Sequence, residues 1–120
     1  MTRLSWKTTA AASVVDAVMA GALPAAAQTP IKIGASLSLT GTYAKLGSYQ
    51  KEGYELCTQE ANDKGGVLGR KIEFVVYDDQ SMPATAVKLY EKLITEDKVD
   101  AVMGPYSSAV SEAVANVTEK

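Results

Sequence analysis

Two adjacent serines, Ser107 and Ser108, follow Gly104-Pro105-Tyr106 and open a run in which Val110, Ala113, Val114 and Val117 recur at helical spacing. The first turn of a helix leaves backbone N–H groups unpaired and carries roughly half a positive charge, so a carboxylate docks there on amides and a hydroxyl. One serine is enough to cap a helix; a second leaves a hydroxyl spare. From the pattern alone, capping and anion binding both remain open. Tyr106 adds an aromatic edge beside the pair.

Two further stretches invite chemistry. "SLTGTYAKLG", Ser38 to Gly47, is glycine-bounded and rich in hydroxyls, but it lacks the GK[ST] ending of a phosphate loop and the G-x-G-x-x-G of a dinucleotide fold. It reads as a loop whose glycines let the backbone turn and approach a neighbour closely. Tyr43 and Leu46 then either face a ligand or pack the loop. In "DDQSMP", Asp78 and Asp79 resemble an acid/base pair or a metal-binding cluster, yet neighbours on a strand point to opposite faces, so a shared site requires the strand to have ended. A structural role, capping or turning before Pro83, is the simpler reading.

The elements that must position these stretches are legible. "IKIGASL" from Ile31 alternates with period two, "KIEFVVYDD" carries an apolar run from Phe74 to Tyr77, and "VDAVMG" from Val99 supplies a third strand. Continuous short runs suit a parallel sheet covered on both faces. Between them, Tyr49, Gly53, Leu56, Cys57 and Ala61 predict the inner face of one helix, ended by Gly65 and Gly66 in the left-handed cap conformation. Cys57 is thereby expected to be a small buried hydrophobe. Pro83 starts a second helix with Val87, Tyr90, Leu93 and Ile94 inward, and the third begins near Ser107. "GGVLGRK" reads as a turn between helix and strand. The β-α-β-α-β-α order predicts an α/β fold with right-handed crossovers, a parallel sheet and helices on both faces. In such sheets ligands bind beyond the carboxyl ends of the strands, which puts all three stretches on one rim.

Composition narrows the functions. The chain has 120 residues and no histidine, which excludes histidine triads and histidine-ligated zinc within it. Arg3 and Lys7 precede a charge-poor run from Thr8 to Ala22, interrupted by Asp16, and Ala25 and Ala27 match the small residues before a cleavage site. Residues 1–27 are read as a signal peptide, too short and alanine-rich to span a membrane. The remaining residues, 28–120, lose Arg3, Lys7 and Asp16 from the totals and keep ten basic and thirteen acidic side chains, a formal charge of −3. That balance gives no basic footprint for nucleic acid. Cys57 is the only cysteine, so no internal disulfide forms.

The succession "SLTGTYAKLG", "EANDKGGVLGRKI", "YDDQSMP" and "GPYSSAV" over Ile31 to Lys120 resembles the amino-terminal part of the periplasmic solute-binding proteins of the branched-chain amino acid (Leu/Ile/Val) ABC transport type. The resemblance implies a type I periplasmic binding fold of two flavodoxin-like lobes, of which residues 28–120 form an incomplete first lobe. It implies no enzyme activity and no cofactor. The full-length protein is expected in the periplasm after Sec export, as a monomer that hands a small carboxylate (an amino acid or an aliphatic or aromatic acid) to a membrane permease. By the same resemblance Ser108 holds the ligand carboxylate with nearby main-chain amides, Ser107 and Tyr106 lie beside it, and Leu46 stands where relatives often carry an aromatic residue against the ligand side chain. Leu46 thus departs from strict Leu/Ile/Val specificity. Met82 departs too, standing where relatives carry an Asn or Asp cap. The partner for a ligand ammonium is implied to lie in sequence beyond Lys120. A sensory receptor domain of the same fold, or a truncated fragment that binds nothing alone, are the alternative readings.

Overall fold

The computed structural model describes residues 28–119; the expected signal peptide lies outside the described residues. Strands β1 (Ile31–Leu37), β2 (Ile72–Asp78) and β3 (Ala101–Met103) alternate with helices α1 (Ala44–Asp63), α2 (Pro83–Thr95) and α3 (Ser108–Thr118). The sheet is parallel with order β2-β1-β3. The chain therefore leaves β1 in one direction for β2, then crosses back over it to β3. Loops on either side of β1 part there, and the rim above β1 and β3 is the crevice in which ligands of open α/β sheets bind.

Register follows from side-chain demand. Leu37 pairs with Asp78, so β1 and β2 end level, while Ala35 pairs with Met103 and β3 ends two residues earlier. β3 is shorter than the apolar run from Val99 suggests, because Lys98 takes a left-handed conformation and the Asp100 carboxylate is turned to the Lys32 amide at 2.8 Å. Both faces of β1 are covered. Gly34 lies under Leu93 of α2, where a Cβ would come within 2.8 Å of it, whereas Phe74 of β2 meets Tyr54 of α1 edge to face at 5.5 Å.

The core gathers on the α2 side: Ala86, Tyr90 and Leu93 of α2 pack with Val110 and Val114 of α3, flanked by Val75, Tyr77 and Val102 from the sheet. Of the four residues expected inward on α2, Tyr90 and Leu93 are buried and Val87 partly so, but Ile94 is exposed and Ala86 takes its place. The Tyr90 hydroxyl donates to the carbonyl of Met103, tying α2 to the end of β3. Burial pushes that hydroxyl up to about 12, so it remains a donor at any physiological pH.

Helix α1 corrects the sequence reading. Tyr49 and Leu56 are more than half exposed and Gly53 and Cys57 are exposed as well, so that of the five residues expected inward only Ala61 is. The inner positions are Gly47, Gln50, Tyr54, Thr58 and Ala61. The rotation is set at Gly47, the one buried residue of the helix, where a Cβ would stand 2.0 Å from the Ser38 carbonyl oxygen. Only glycine lets α1 cross the exit of β1 so closely, and that crossing overrides apolar periodicity. The helix ends as expected: Gly65 N–H bonds the Asn62 carbonyl and Gly66 N–H that of Ala61, the paired bonds of a Schellman cap. The "GGVLGRK" link closes on a reciprocal bridge between Val67 and Arg70.

Candidate functional site

The rim is built from the three loops the topology brings together. At the start of α3, Ser107 is the N-cap and its Oγ accepts the Val110 N–H at 3.2 Å. A hydroxyl that accepts one bond still has its own proton to donate. Ser108 is the first helical residue, exposed, and its hydroxyl makes no hydrogen bond among the described residues. The N–H groups of Ser108 and Ala109 likewise find no acceptor there, because residues Gly104 and Pro105 lie outside the helix. Capping and a set of donors without a protein acceptor therefore coexist. Ser107 does the first, and Ser108 with two amides provides the second.

Tyr43 is the N-cap residue of α1, and its ring meets that of Tyr106 at 5.8 Å with a tilt of 48°. Two residues that lie far apart in sequence are thus joined over the crevice between β1 and β3. Each is more than a third exposed, as is Leu46, three residues further along the first turn of α1. Of the five candidate residues, Tyr43 and Tyr106 are in contact, Ser107 and Ser108 follow directly on Tyr106, and Leu46 stands beside Tyr43 in the first turn of α1, its N–H bonding the Tyr43 carbonyl at 3.0 Å.

Gln50 and Tyr54 were not singled out by the sequence. Gln50 Nε2 donates to the Gly104 carbonyl at 3.2 Å and to the Tyr54 hydroxyl at 2.6 Å, while Tyr54 itself donates to Gly104 at 3.3 Å. They hold the β3–α3 loop to α1. Gln50 Oε1 is buried without a partner among the described residues. The signal for Gln50 was its place one turn from Gly47, on a face that apolar periodicity does not reveal.

The two aspartates serve different neighbours. Asp79 is fully buried and accepts from the hydroxyls of Ser36 (3.1 Å) and Ser38 (2.8 Å) and from the Ser81 N–H (2.8 Å). Asp78 accepts from the amides of Leu39, Thr40 and Gln80 and from the Thr40 hydroxyl at 2.7 Å. Burial pushes the Asp78 carboxyl up, but the Thr40 hydroxyl and the amides of Gln80, Thr40 and Leu39 outweigh it and hold the group below the ordinary value of 3.8. Both carboxylates are thus engaged by structural donors, and no hydrogen bond joins one to the other among the described residues. No group of histidine, cysteine, aspartate and glutamate side chains suited to a metal ion occurs among the described residues. Met82 caps nothing with its side chain, as its type requires.

A hollow of about 260 Å³ lies behind α3, lined by Tyr90, Met103, Gly104, Pro105, Ser111 and Val114 among others, and touches neither Ser108 nor Tyr43. It shares Gly104 and Pro105 with the β3–α3 loop of the rim but otherwise lies along β3, α2 and α3. No helix among the described residues is long and apolar enough to cross a membrane.

Residues 30–120 match the sequence profile of the periplasmic binding proteins. The chain belongs to the periplasmic binding protein family. It is 36% identical over 105 residues to the Leu/Ile/Val-binding protein homolog 7 of Brucella suis, an alignment covering 88% of this chain and 26% of that protein. Among solved structures, the branched-chain amino acid transporter substrate-binding protein LivJ of Streptococcus pneumoniae, in complex with isoleucine, superposes with a TM-score of 0.72 at 37% identity, covering 75% of this chain and 26% of that one. The solute-binding protein of an ABC transporter from R. palustris, in complex with benzoate, gives a TM-score of 0.66 at 38% identity over 74% of this chain and 24% of that one. The fold is that of the type I periplasmic binding proteins of the branched-chain amino acid type, represented here by part of one lobe. The chain spans about a quarter of the length of these relatives. They are named as solute-binding proteins, not as enzymes.

Proposed function

We propose that the chain is the amino-terminal part of a periplasmic substrate-binding component of an ABC transporter, which captures a branched-chain amino acid or a related small carboxylate and delivers it to the permease. The reading is carried by donors at the start of α3 that find no acceptor within the described protein, the Ser108 hydroxyl and the amides of Ser108 and Ala109, set beside the Tyr43–Tyr106 pair. A helix start of this kind favours a carboxylate, and the aromatic pair offers apolar surface to what the carboxylate is attached to. Ser107 donates its remaining proton to the same anion, and Leu46 borders the apolar side. The isoleucine and benzoate bound by two relatives are both carboxylates, which supports the class while leaving the side chain of the solute open.

The test is calorimetric titration of the full-length protein with isoleucine, leucine and benzoate, each beside its primary amide. The carboxylates are expected to bind and the amides to bind far more weakly. Ser108→Ala removes one hydrogen bond to a charged group and is expected to weaken binding about 10-fold or more. Equal affinity for acid and amide, or no effect of Ser108→Ala, would refute the reading.

A further inference from the structure

We propose that Asp78 is a positioning residue for this site: with Ser81 it fastens the Leu39–Tyr43 segment to the end of β2 and so holds Tyr43 against Tyr106. The proposal rests on the reading that the rim binds the solute. After Leu37 the chain leaves the ladder and reaches α1 only at Ala44; the Leu39 N–H turns back to the Leu37 carbonyl at 2.9 Å, and the Thr40 and Tyr43 amides find no backbone acceptor among the described residues. Because β1 and β2 end level, Asp78 stands directly beside this segment. Its carboxylate takes the Leu39 N–H at 3.0 Å, the Thr40 N–H at 3.1 Å and the Thr40 hydroxyl at 2.7 Å. Ser81 completes the attachment: its hydroxyl donates to the Thr40 carbonyl at 2.8 Å and accepts the Tyr43 N–H at 3.1 Å.

The backbone of the "DDQSMP" turn is bent to make this possible. Gln80 and Ser81 both take left-handed conformations, φ 57° and 62°, which are unfavourable for residues with a Cβ and persist only where surrounding bonds impose them. The two loops are pressed together at Gly41, where a Cβ would stand 2.5 Å from the Gln80 carbonyl oxygen. Asp79 takes no part in this attachment to the Leu39–Tyr43 segment; its donors are Ser36, Ser38 and the Ser81 amide. The consequence falls on Tyr43, whose N–H is held by Ser81 and whose ring reaches across to Tyr106.

The experiment compares Asp78→Ala, Asp78→Asn and Ser81→Ala in the full-length protein, with isoleucine and benzoate as probes. Arg70→Ala, which loosens contacts to Thr29 and Pro30 at the opposite end of the sheet, serves as a control for general destabilisation. Asp78→Ala and Ser81→Ala are expected to weaken binding about 10-fold through lost preorganisation. They should also speed hydrogen exchange at Leu39, Thr40 and Tyr43 while leaving the α3 amides unchanged. Asp78→Asn keeps the oxygen that accepts the three amides and is expected to bind within about threefold of wild type. Arg70→Ala should leave affinity unchanged. Wild-type affinity in Asp78→Ala, or equal losses in Asp78→Ala, Asp78→Asn and Arg70→Ala, would overturn the proposal. If the wild type bound neither probe, the functional reading would fall. The positioning claim would then be judged on the Tyr43–Tyr106 ring contact by NMR, which Asp78→Ala and Ser81→Ala should abolish and Asp78→Asn retain; persistence of the contact in both would refute it.

Discussion

Two glycines of α1 should respond in opposite senses to the same substitution. At Gly47 an added Cβ would stand 2.0 Å from the Ser38 carbonyl oxygen and 2.6 Å from its carbon, where ordinary contact begins near 3.4 Å. The obstacle is backbone at the exit of β1, so no side chain swings aside and the first turn of α1 must lift by more than an ångström. Overpacking of this kind costs roughly 1–3 kcal/mol or more, and at so short a contact the upper end applies. Alanine's helix propensity offsets about 1 kcal/mol of it, leaving Gly47→Ala destabilised by about 2 kcal/mol. At Gly53, two turns on, an added Cβ meets nothing within 4 Å. Only the propensity acts there, and Gly53→Ala should be stabilised by about 0.5–1 kcal/mol. Urea unfolding of the full-length protein, read as the shift in midpoint at constant slope, separates the two. Gly47→Ala should also bind solute more weakly, since Gly47 N–H bonds the Tyr43 carbonyl at 2.9 Å and a lifted first turn carries Tyr43 with it. A Gly47→Ala variant as stable as wild type would show that the close crossing does not set the rotation of α1.

Three further outcomes follow from the rim. Ser107→Ala should cost about 1 kcal/mol of stability as a lost N-cap, while Ser108→Ala leaves urea midpoints unchanged, which separates the two serines by equilibrium unfolding alone. Asp79→Ala should cost about 3 kcal/mol or more, because the buried hydroxyls of Ser36 and Ser38 and the Ser81 amide all lose their acceptor. The carboxyl of Asp78 is held below 3.8 in the folded protein, so its contribution is present above that value and is lost as pH falls through the folded pKa. Urea midpoints measured from pH 7 to pH 2.5 should therefore drop more steeply at the acid end in wild type than in Asp78→Asn.

The strands were legible because an apolar run in a short segment has few other uses, and β1 and β2 run where their patterns end. Helices α2 and α3 were legible for a related reason: Tyr90 and Leu93, Val110 and Val114 are large apolar groups at helical spacing, and the core is made of them. In α1 the same inference held only at Ala61, since the inward face otherwise carries a glycine, a glutamine, a tyrosine and a threonine that it did not select while Tyr49 and Leu56 face out. Periodicity finds a face that is buried by hydrophobic side chains. It does not find one buried by the absence of a side chain.

A comparable limit applied to the rim. The topology rule located all three loops, and the pairing of Tyr43 with Tyr106 answers to it. The work of Asp78 and Asp79 was read correctly as structural, but their partners were not foreseen, since Ser36, Ser38 and Thr40 stand 43, 41 and 38 residues away in sequence. The signal was nevertheless present. Serines at alternate positions of a strand covered on both faces must find hydrogen-bond partners, and in "GASLSLTG" no local group supplies them. An acidic residue at the end of the adjoining strand is the partner that a level register provides. The same geometry gives both aspartates structural work, since Asp79 holds three donors and Asp78 four. The open capacity of this rim is of the opposite kind, donors without protein acceptors at the start of α3, and that asymmetry is the ground on which an anionic ligand is proposed for it.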